Sequence, residues 1–297
     1  MLALLALLLS SCDRSNPTPG GASGSAGIEV LAAENFWGSI AEQLLGDKGH
    51  VQSIIVNPST DPHSYQPSAA DARTMAGANM AILNGVGYDE WAQQLLQASS
   101  SGGRIVLNVG KTLRLGAGAN PHRWYFPADV TAVARRIVID YDRLDPAGSA
   151  YFAQRLRAFE TTALARYDAL RREIRARYGG VAVGYSESIF QGLGEDLGLH
   201  LLTPYGFVKA IAEGTDVTAS EKELVDTQAR RHEIKIWIYN SQNVTPDVQR
   251  VNQMVREAKI PIATVTETLA PASASFEQWQ VGELEGLARA LHEATGR

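Results

Sequence analysis

Two short loops carry the first chemical signal. One reads Asp61-Pro62-His63 and the other Asn120-Pro121-His122, so each is an Asx-Pro-His triplet. Proline fixes its own φ and drives the residue before it into an extended conformation. The Asp or Asn side chain can hold such a turn by bonding nearby backbone. Each triplet therefore presents one imidazole rigidly. Both loops are expected between a strand and the following helix, at the carboxyl edge where open α/β sheets bind ligands. Two pre-set imidazoles at one edge suit a metal ion, although two unrelated loop histidines would read the same way.

Two carboxylates occupy comparable places later in the chain. Glu187 follows the apolar run 181–184, and Glu267 follows the run 262–265. Each alone reads more readily as an ordinary surface or capping residue. Together with the two histidines they would close a shell of nitrogen and oxygen donors across a cleft. The remaining histidines, His50, His200, His232 and His292, lie in surface turns, at a strand start or on helices, where structural roles are expected.

These loops need a frame. Strands are expected at 28–33, 51–56, 80–83 and 104–108, alternating with helices at 36–45, 69–76, 88–98 and 128–141. That alternation indicates βαβ units and a parallel sheet. The pattern then breaks. Asp145-Pro146 reads as a helix N-cap followed by proline at the first helical position. Leu156, Phe159, Ala163, Tyr167, Leu170, Ile174 and Tyr178 form one apolar stripe. A helix over 146–178 would be about 50 Å long. Alternation resumes afterwards, with strands at 181–184, 199–203, 234–239 and 262–265 and helices at 189–197, 220–231, 246–258 and 276–294. Ser220 and Glu223 have the spacing of a capping box. The expected fold is α/β, with two Rossmann-like lobes of parallel sheet (28–145 and 179–297) joined by one long helix (146–178) and a ligand cleft between them.

Composition excludes several alternatives. The 297 residues are 45% hydrophobic and 20% charged, an ordinary globular balance. Lys and Arg number 27 against 32 Asp and Glu, a net charge of −5 that offers nucleic acid no basic field. The single cysteine, Cys12, excludes a disulfide framework, a cysteine-rich zinc site and an iron–sulfur cluster. Residues 1–11, MLALLALLLSS, fit a signal-peptide core and are too short to span a bilayer. Leu9-Ser10-Ser11-Cys12 resembles a lipobox, in which the cysteine is lipidated. Residues 12–27 are rich in Ser, Gly and Pro and would tether the body about 20 Å from the anchor. No HExxH helix, GxSxG elbow or GxxxxGKS loop occurs.

The sequence resembles the metal-binding solute-binding lipoproteins of bacterial zinc/manganese ABC importers. The resemblance runs from about residue 28 to the C-terminus. It rests on AAENFWGSIAEQL, NPSTDPHSYQPSAADA, NGVGYDEW and NPHRWYFPADV, then FVKAIAEGTD, IYNSQNVTPDVQ, TVTETLAP and FEQWQ, in that order. It implies two lobes on a rigid backbone helix and one Zn2+ or Mn2+ ion held by His63, His122, Glu187 and Glu267. It implies delivery to an ABC permease and its ATPase by a monomer that is not an enzyme, lipid-anchored through Cys12. The anchor would sit on the periplasmic face of an inner membrane or the outer face of a single membrane. A surface adhesin that also binds metal and a metal-dependent hydrolase are the alternatives. Zinc-importing relatives often carry a His- and acid-rich loop ahead of the second histidine. Residues 111–119 here are short and hold no histidine, which argues against zinc selectivity, and a donor set of two nitrogens and up to four oxygens leans towards manganese.

Overall fold

The structure, a computed structural model, describes residues 27–60, 65–99 and 101–297. The expected signal segment, Cys12 and most of the tether lie outside the described residues, as does His63. No helix among the described residues is long and apolar enough to cross a membrane.

The first half runs β1 (Ile28–Glu34), α1 (Asn35–Leu45), β2 (Gly49–Ile55), α2 (Ala69–Gly77), β3 (Met80–Leu83), α3 (Glu90–Ala98), β4 (Ile105–Asn108), α4 (Val109–Thr112) and α5 (Pro127–Leu144). Two helical segments follow, α6 (Ser149–Ala158) and α7 (Ala165–Tyr178). The second half runs β5 (Ala182–Tyr185), α8 (Gln191–Asp196), β6 (His200–Leu201), α9 (Tyr205–Ala212), α10 (Ala219–Arg230), β7 (Ile236–Asn240), α11 (Pro246–Glu257), β8 (Ile262–Val265) and α12 (Phe276–Thr295).

The strands form two four-stranded sheets, ordered β2-β1-β3-β4 and β6-β5-β7-β8, with every pairing parallel. The second order is the first repeated four strands later. Each sheet therefore reverses direction beside its first strand, and that reversal opens a crevice at the carboxyl edge. Strands β3 and β5 are buried almost throughout, as parallel strands covered on both faces must be. One continuous core joins α1, α5, α6 and α7 to both sheets, and a smaller core lies under α2 and α3.

The expected helix over 146–178 is helical but not uniform. Asp145 caps a single 3-10 turn over Pro146–Gly148, accepting from the Gly148 N–H, and α6 follows. The turn Phe159–Ala163 is a π-helix, closed by a bond from Leu164 N–H to the Phe159 carbonyl. The expected stripe stepped from Phe159 to Ala163. The buried stripe instead steps five residues, from Phe159 to Leu164, and resumes at Tyr167, Leu170, Ile174 and Tyr178. Burying leucine rather than alanine removes more apolar surface from water, and the wider turn is the backbone's way to place it. Leu164→Ala should therefore cost about 2–4 kcal/mol in denaturant unfolding. A variant as stable as wild type would separate the wide turn from this packing.

Two smaller expectations are corrected. Helix α10 is capped by Thr218, whose hydroxyl accepts from the Glu221 N–H, so the cap falls two residues before Ser220. The strand expected at 199–203 shrinks to His200–Leu201, as the chain turns at Pro204 into α9.

Candidate metal centre

His122 opens a 3-10 turn after β4 and α4, and its side chain is fully buried. Asn120 sets the ring. The Asn120 amide nitrogen donates to the Ser188 carbonyl at 2.7 Å, which turns the amide oxygen towards His122. That oxygen accepts from the His122 backbone N–H at 3.0 Å and lies 2.9 Å from Nδ1. An oxygen that can only accept requires a proton on Nδ1, so in the neutral ring Nε2 keeps its lone pair. The loop is pinned from the other side by Asn84, whose amide donates to the Pro121 carbonyl at 2.9 Å.

Nε2 points at two carboxylates from the second half of the chain. It lies 3.7 Å from Glu187 Oε1 and 3.6 Å from Glu267 Oε2. Glu187 stands two residues past β5 and Glu267 two residues past β8, and both are buried. One ligand atom from each of His122, Glu187 and Glu267 lies within 4.8 Å of the others. Three of the four expected site residues are thus brought together, and the fourth, His63, lies outside the described residues. His50, His200, His232 and His292 are all exposed.

Polar partners orient both carboxylates. Asn243 donates to Glu187 Oε2 at 2.9 Å, and Asn240 donates to Glu267 Oε1 at 2.7 Å. The Tyr88 hydroxyl donates to Glu267 Oε2 at 2.9 Å. Asn240 is the last residue of β7, and its own N–H donates to Ser186 Oγ beside Glu187. Glu187 Oε1 has no hydrogen-bond partner among the described residues. Burial, then the neighbouring Glu267, holds the Glu187 carboxyl well above the usual range. Two carboxylates this close in a buried place repel when both are ionised, and a bound dication would relieve that repulsion. The donor chemistry fits: an imidazole nitrogen and carboxylate oxygens suit manganese, and zinc as well. A cavity of about 710 Å³ reaches His122 and Glu267, past Asn120, Gln191, Gln242 and Asn243.

Several polar groups around the centre were not anticipated. Glu34 ends β1, is fully buried and has neither oxygen hydrogen-bonded among the described residues. Burial, then Asp89 and Glu267, raises its pKa well above the usual value. Asp89 accepts from the Asn84 and Gly85 N–H groups at 2.6 and 2.7 Å, and burial pushes it up to about 6. A carboxylate closing the apolar run Val30–Ala33 was the available signal for Glu34. Nothing comparable marked Tyr88, Asn240 or Asn243.

Asn120→Ala should lower metal affinity by about 10- to 100-fold, the usual cost of losing the group that orients a ligating imidazole. Competition titration measures it. An unchanged affinity would show that the ring orientation does not depend on Asn120.

Two parallel α/β lobes with nitrogen and carboxylate donors converging at their carboxyl edges define a two-lobed binding protein with a buried metal-type site. The chain belongs to the family described as ZnuA, zinc-uptake complex component A periplasmic, which matches residues 30–290. It is 24% identical to the manganese-binding lipoprotein MntA of Halalkalibacterium halodurans over 54% of this chain and 53% of that protein. It is 23% identical to the iron-binding protein YfeA of Yersinia pestis over 87% of this chain and 76% of that one. The match thus spans about half the length of the first of these relatives. The fold is similar to that of a periplasmic metal binding protein from Candidatus Liberibacter asiaticus, with a TM-score of 0.74 at 20% identity, covering 88% of this chain and 98% of that chain. The SBP FpvC of Pseudomonas aeruginosa, solved in complex with Mn2+, gives a TM-score of 0.71 at 21% identity over 90% and 99% of the two chains.

Proposed function

We propose that this protein captures one divalent transition-metal ion, Mn2+ or Zn2+, outside the cytoplasm and delivers it to an ABC permease and its ATPase. The observation that carries this reading is the convergence of His122, Glu187 and Glu267, with ligand atoms within 4.8 Å of one another in a buried place. His63 completes the set as the second imidazole of the first lobe. Family membership and relatives named for manganese and iron support a metal cargo. Two nitrogens and up to four carboxylate oxygens would fill the shell from the protein alone. A catalytic metal keeps a position open for water or substrate, so the set suits a carrier rather than an enzyme. A monomer anchored through Cys12 would present the ion at the membrane surface.

The test is metal analysis of protein purified without added metal, followed by competition titration with Mn2+ and Zn2+. One equivalent per chain is expected, and His63→Ala and His122→Ala should each weaken it by at least about 100-fold, since each removes one ligand outright. Binding that survives both substitutions would place the cargo elsewhere. Because protons compete for imidazole and carboxylate alike, affinity should also fall on acidification.

A further inference from the structure

Glu283 lies on α12, away from the centre, and its partners are all neutral. Its Oε1 accepts from the Thr266 N–H at 2.9 Å and from the Trp279 indole N–H at 2.9 Å. The Thr266 hydroxyl, also 2.9 Å from Oε1, can alternatively donate to the Thr268 carbonyl. On the other side, Oε2 is 2.5 Å from the Tyr125 hydroxyl oxygen, and that oxygen is 2.9 Å from the Thr266 carbonyl. Thr266 immediately precedes Glu267, and Tyr125 lies three residues after His122.

The contacts at Tyr125 impose a proton count. Three oxygens, Glu283 Oε2, Tyr125 Oη and the Thr266 carbonyl, make two hydrogen-bonding contacts in a row. A phenol carries one proton and a carbonyl none. An ionised Glu283 would leave one of the two contacts as a bare meeting of lone pairs. A neutral Glu283 satisfies both: its O–H donates to Tyr125, and Tyr125 donates to the Thr266 carbonyl. The proton belongs on Oε2, because Oε1 already accepts two N–H bonds. Burial acts in the same direction and pushes this carboxyl up to about 8, against the lowering effect of its hydrogen bonds.

We propose that Glu283 is a positioning residue whose neutral form locks the Glu267 loop onto the turn that carries His122, and whose ionisation releases that lock. The consequence for metal rests on the site reading above. The link crosses from the first sheet's loops to the second's, so it fixes the spacing of two ligands that no strand pairing joins. The titratable groups facing Glu283 are Tyr125 on the turn after His122, Glu267 beyond Thr266, and Tyr167 on α7. Arg171, Asp168 and Asp196 stand behind Tyr167, where Arg171 is engaged by both aspartates. From α8, β7 and β8 the neighbours are Leu193, Ile238 and Ala263, which do not titrate.

Glu283→Gln is the informative variant, because its amide can donate to Tyr125 as the protonated acid does and cannot ionise. Zn2+ affinity is measured by competition with a chelator, for wild type and variant, at about pH 6 and about pH 9. Their ratio cancels the proton competition at the ligands, which both proteins share. The two should agree within about threefold at the lower pH, and the variant should bind about tenfold tighter at the higher, the scale on which supporting groups tune a metal site. Glu283→Leu should bind at least about tenfold more weakly at both. A ratio that does not change with pH, or a leucine variant that binds as wild type does, overturns the proposal.

Should wild type bind no Zn2+ at either pH, the site reading fails, and Glu283 is then judged on metal-free protein. A carboxyl held above its unfolded value contributes stability that is complete below the unfolded value and is lost as pH rises through about 8. The glutamine variant should therefore melt with wild type in acid and above it in alkali. Parallel melting curves across that range would equally overturn the lock.

Discussion

Glu187→His should cost the protein manganese far more than zinc. The substitution exchanges a carboxylate oxygen for an imidazole nitrogen and removes one negative charge. Manganese favours oxygen-rich shells, and with zinc above it in the Irving–Williams order it has little affinity to spare. Zinc accepts nitrogen readily and closes a tetrahedron with it. The expected loss is on the order of 100-fold or more for Mn2+ and within about tenfold for Zn2+. The geometry makes the exchange specific. Glu187 Oε1 lies 3.7 Å from His122 Nε2 with no hydrogen-bond partner among the described residues, so this is the atom free to meet an ion. Competition titration at fixed pH, on wild type and variant with both ions, measures the effect. Equal losses for the two metals, or none, would place Glu187 outside the coordination shell.

What the sequence made legible here was local. The acids just past apolar runs were visible because a strand exit is a short-range event, written within a few residues, and the triplet at His122 was visible because proline and Asn act on their immediate neighbours. The alternation of strands and helices likewise placed both sheets, and the equivalent strand orders agree with two lobes of similar plan. Groups that act across the cleft left no local trace. Asn240 and Asn243 carried no signal of their own until β7 is set between β5 and β8, when they meet Glu267 and Glu187. Tyr88 read as the start of a helix, yet its hydroxyl reaches a carboxylate 179 residues away. The π-turn was hidden for a different reason. Ala163 and Leu164 are both apolar, so the periodicity could be continued through either. Only burial in the core selects the larger side chain. Helix α9 spans eight residues after Pro204, too few turns for a periodic signal to separate it from a loop.

Glu187→Gln should have opposite effects on the metal-free and metal-loaded protein. Glu187 is buried beside Glu267. Its carboxyl is held well above the usual value of about 4.5, by burial first and by Glu267 second. The sign follows from linkage: the folded protein holds a proton there that the unfolded chain gives up. That stability is complete below about 4.5 and is lost as pH rises through the folded value. Glutamine carries no charge, keeps an oxygen for Asn243 and can donate towards Glu267, so the stripped variant should melt above stripped wild type near neutral pH. Metal reverses the order. At a free ion concentration 1,000-fold above Kd, binding adds about 4 kcal/mol to wild type, which for a chain of this size raises Tm by roughly 6–8 °C. With a carboxylate ligand lost, the variant should show only a small part of that shift under the same conditions. Scanning calorimetry on chelator-stripped and metal-loaded samples of both proteins separates the two effects. A stripped variant less stable than stripped wild type, combined with an undiminished metal shift, would mean that Glu187 serves the fold rather than the ion. Two buried carboxylates that repel each other when both are ionised would destabilise the protein without an ion for the same reason that they would attract a dication.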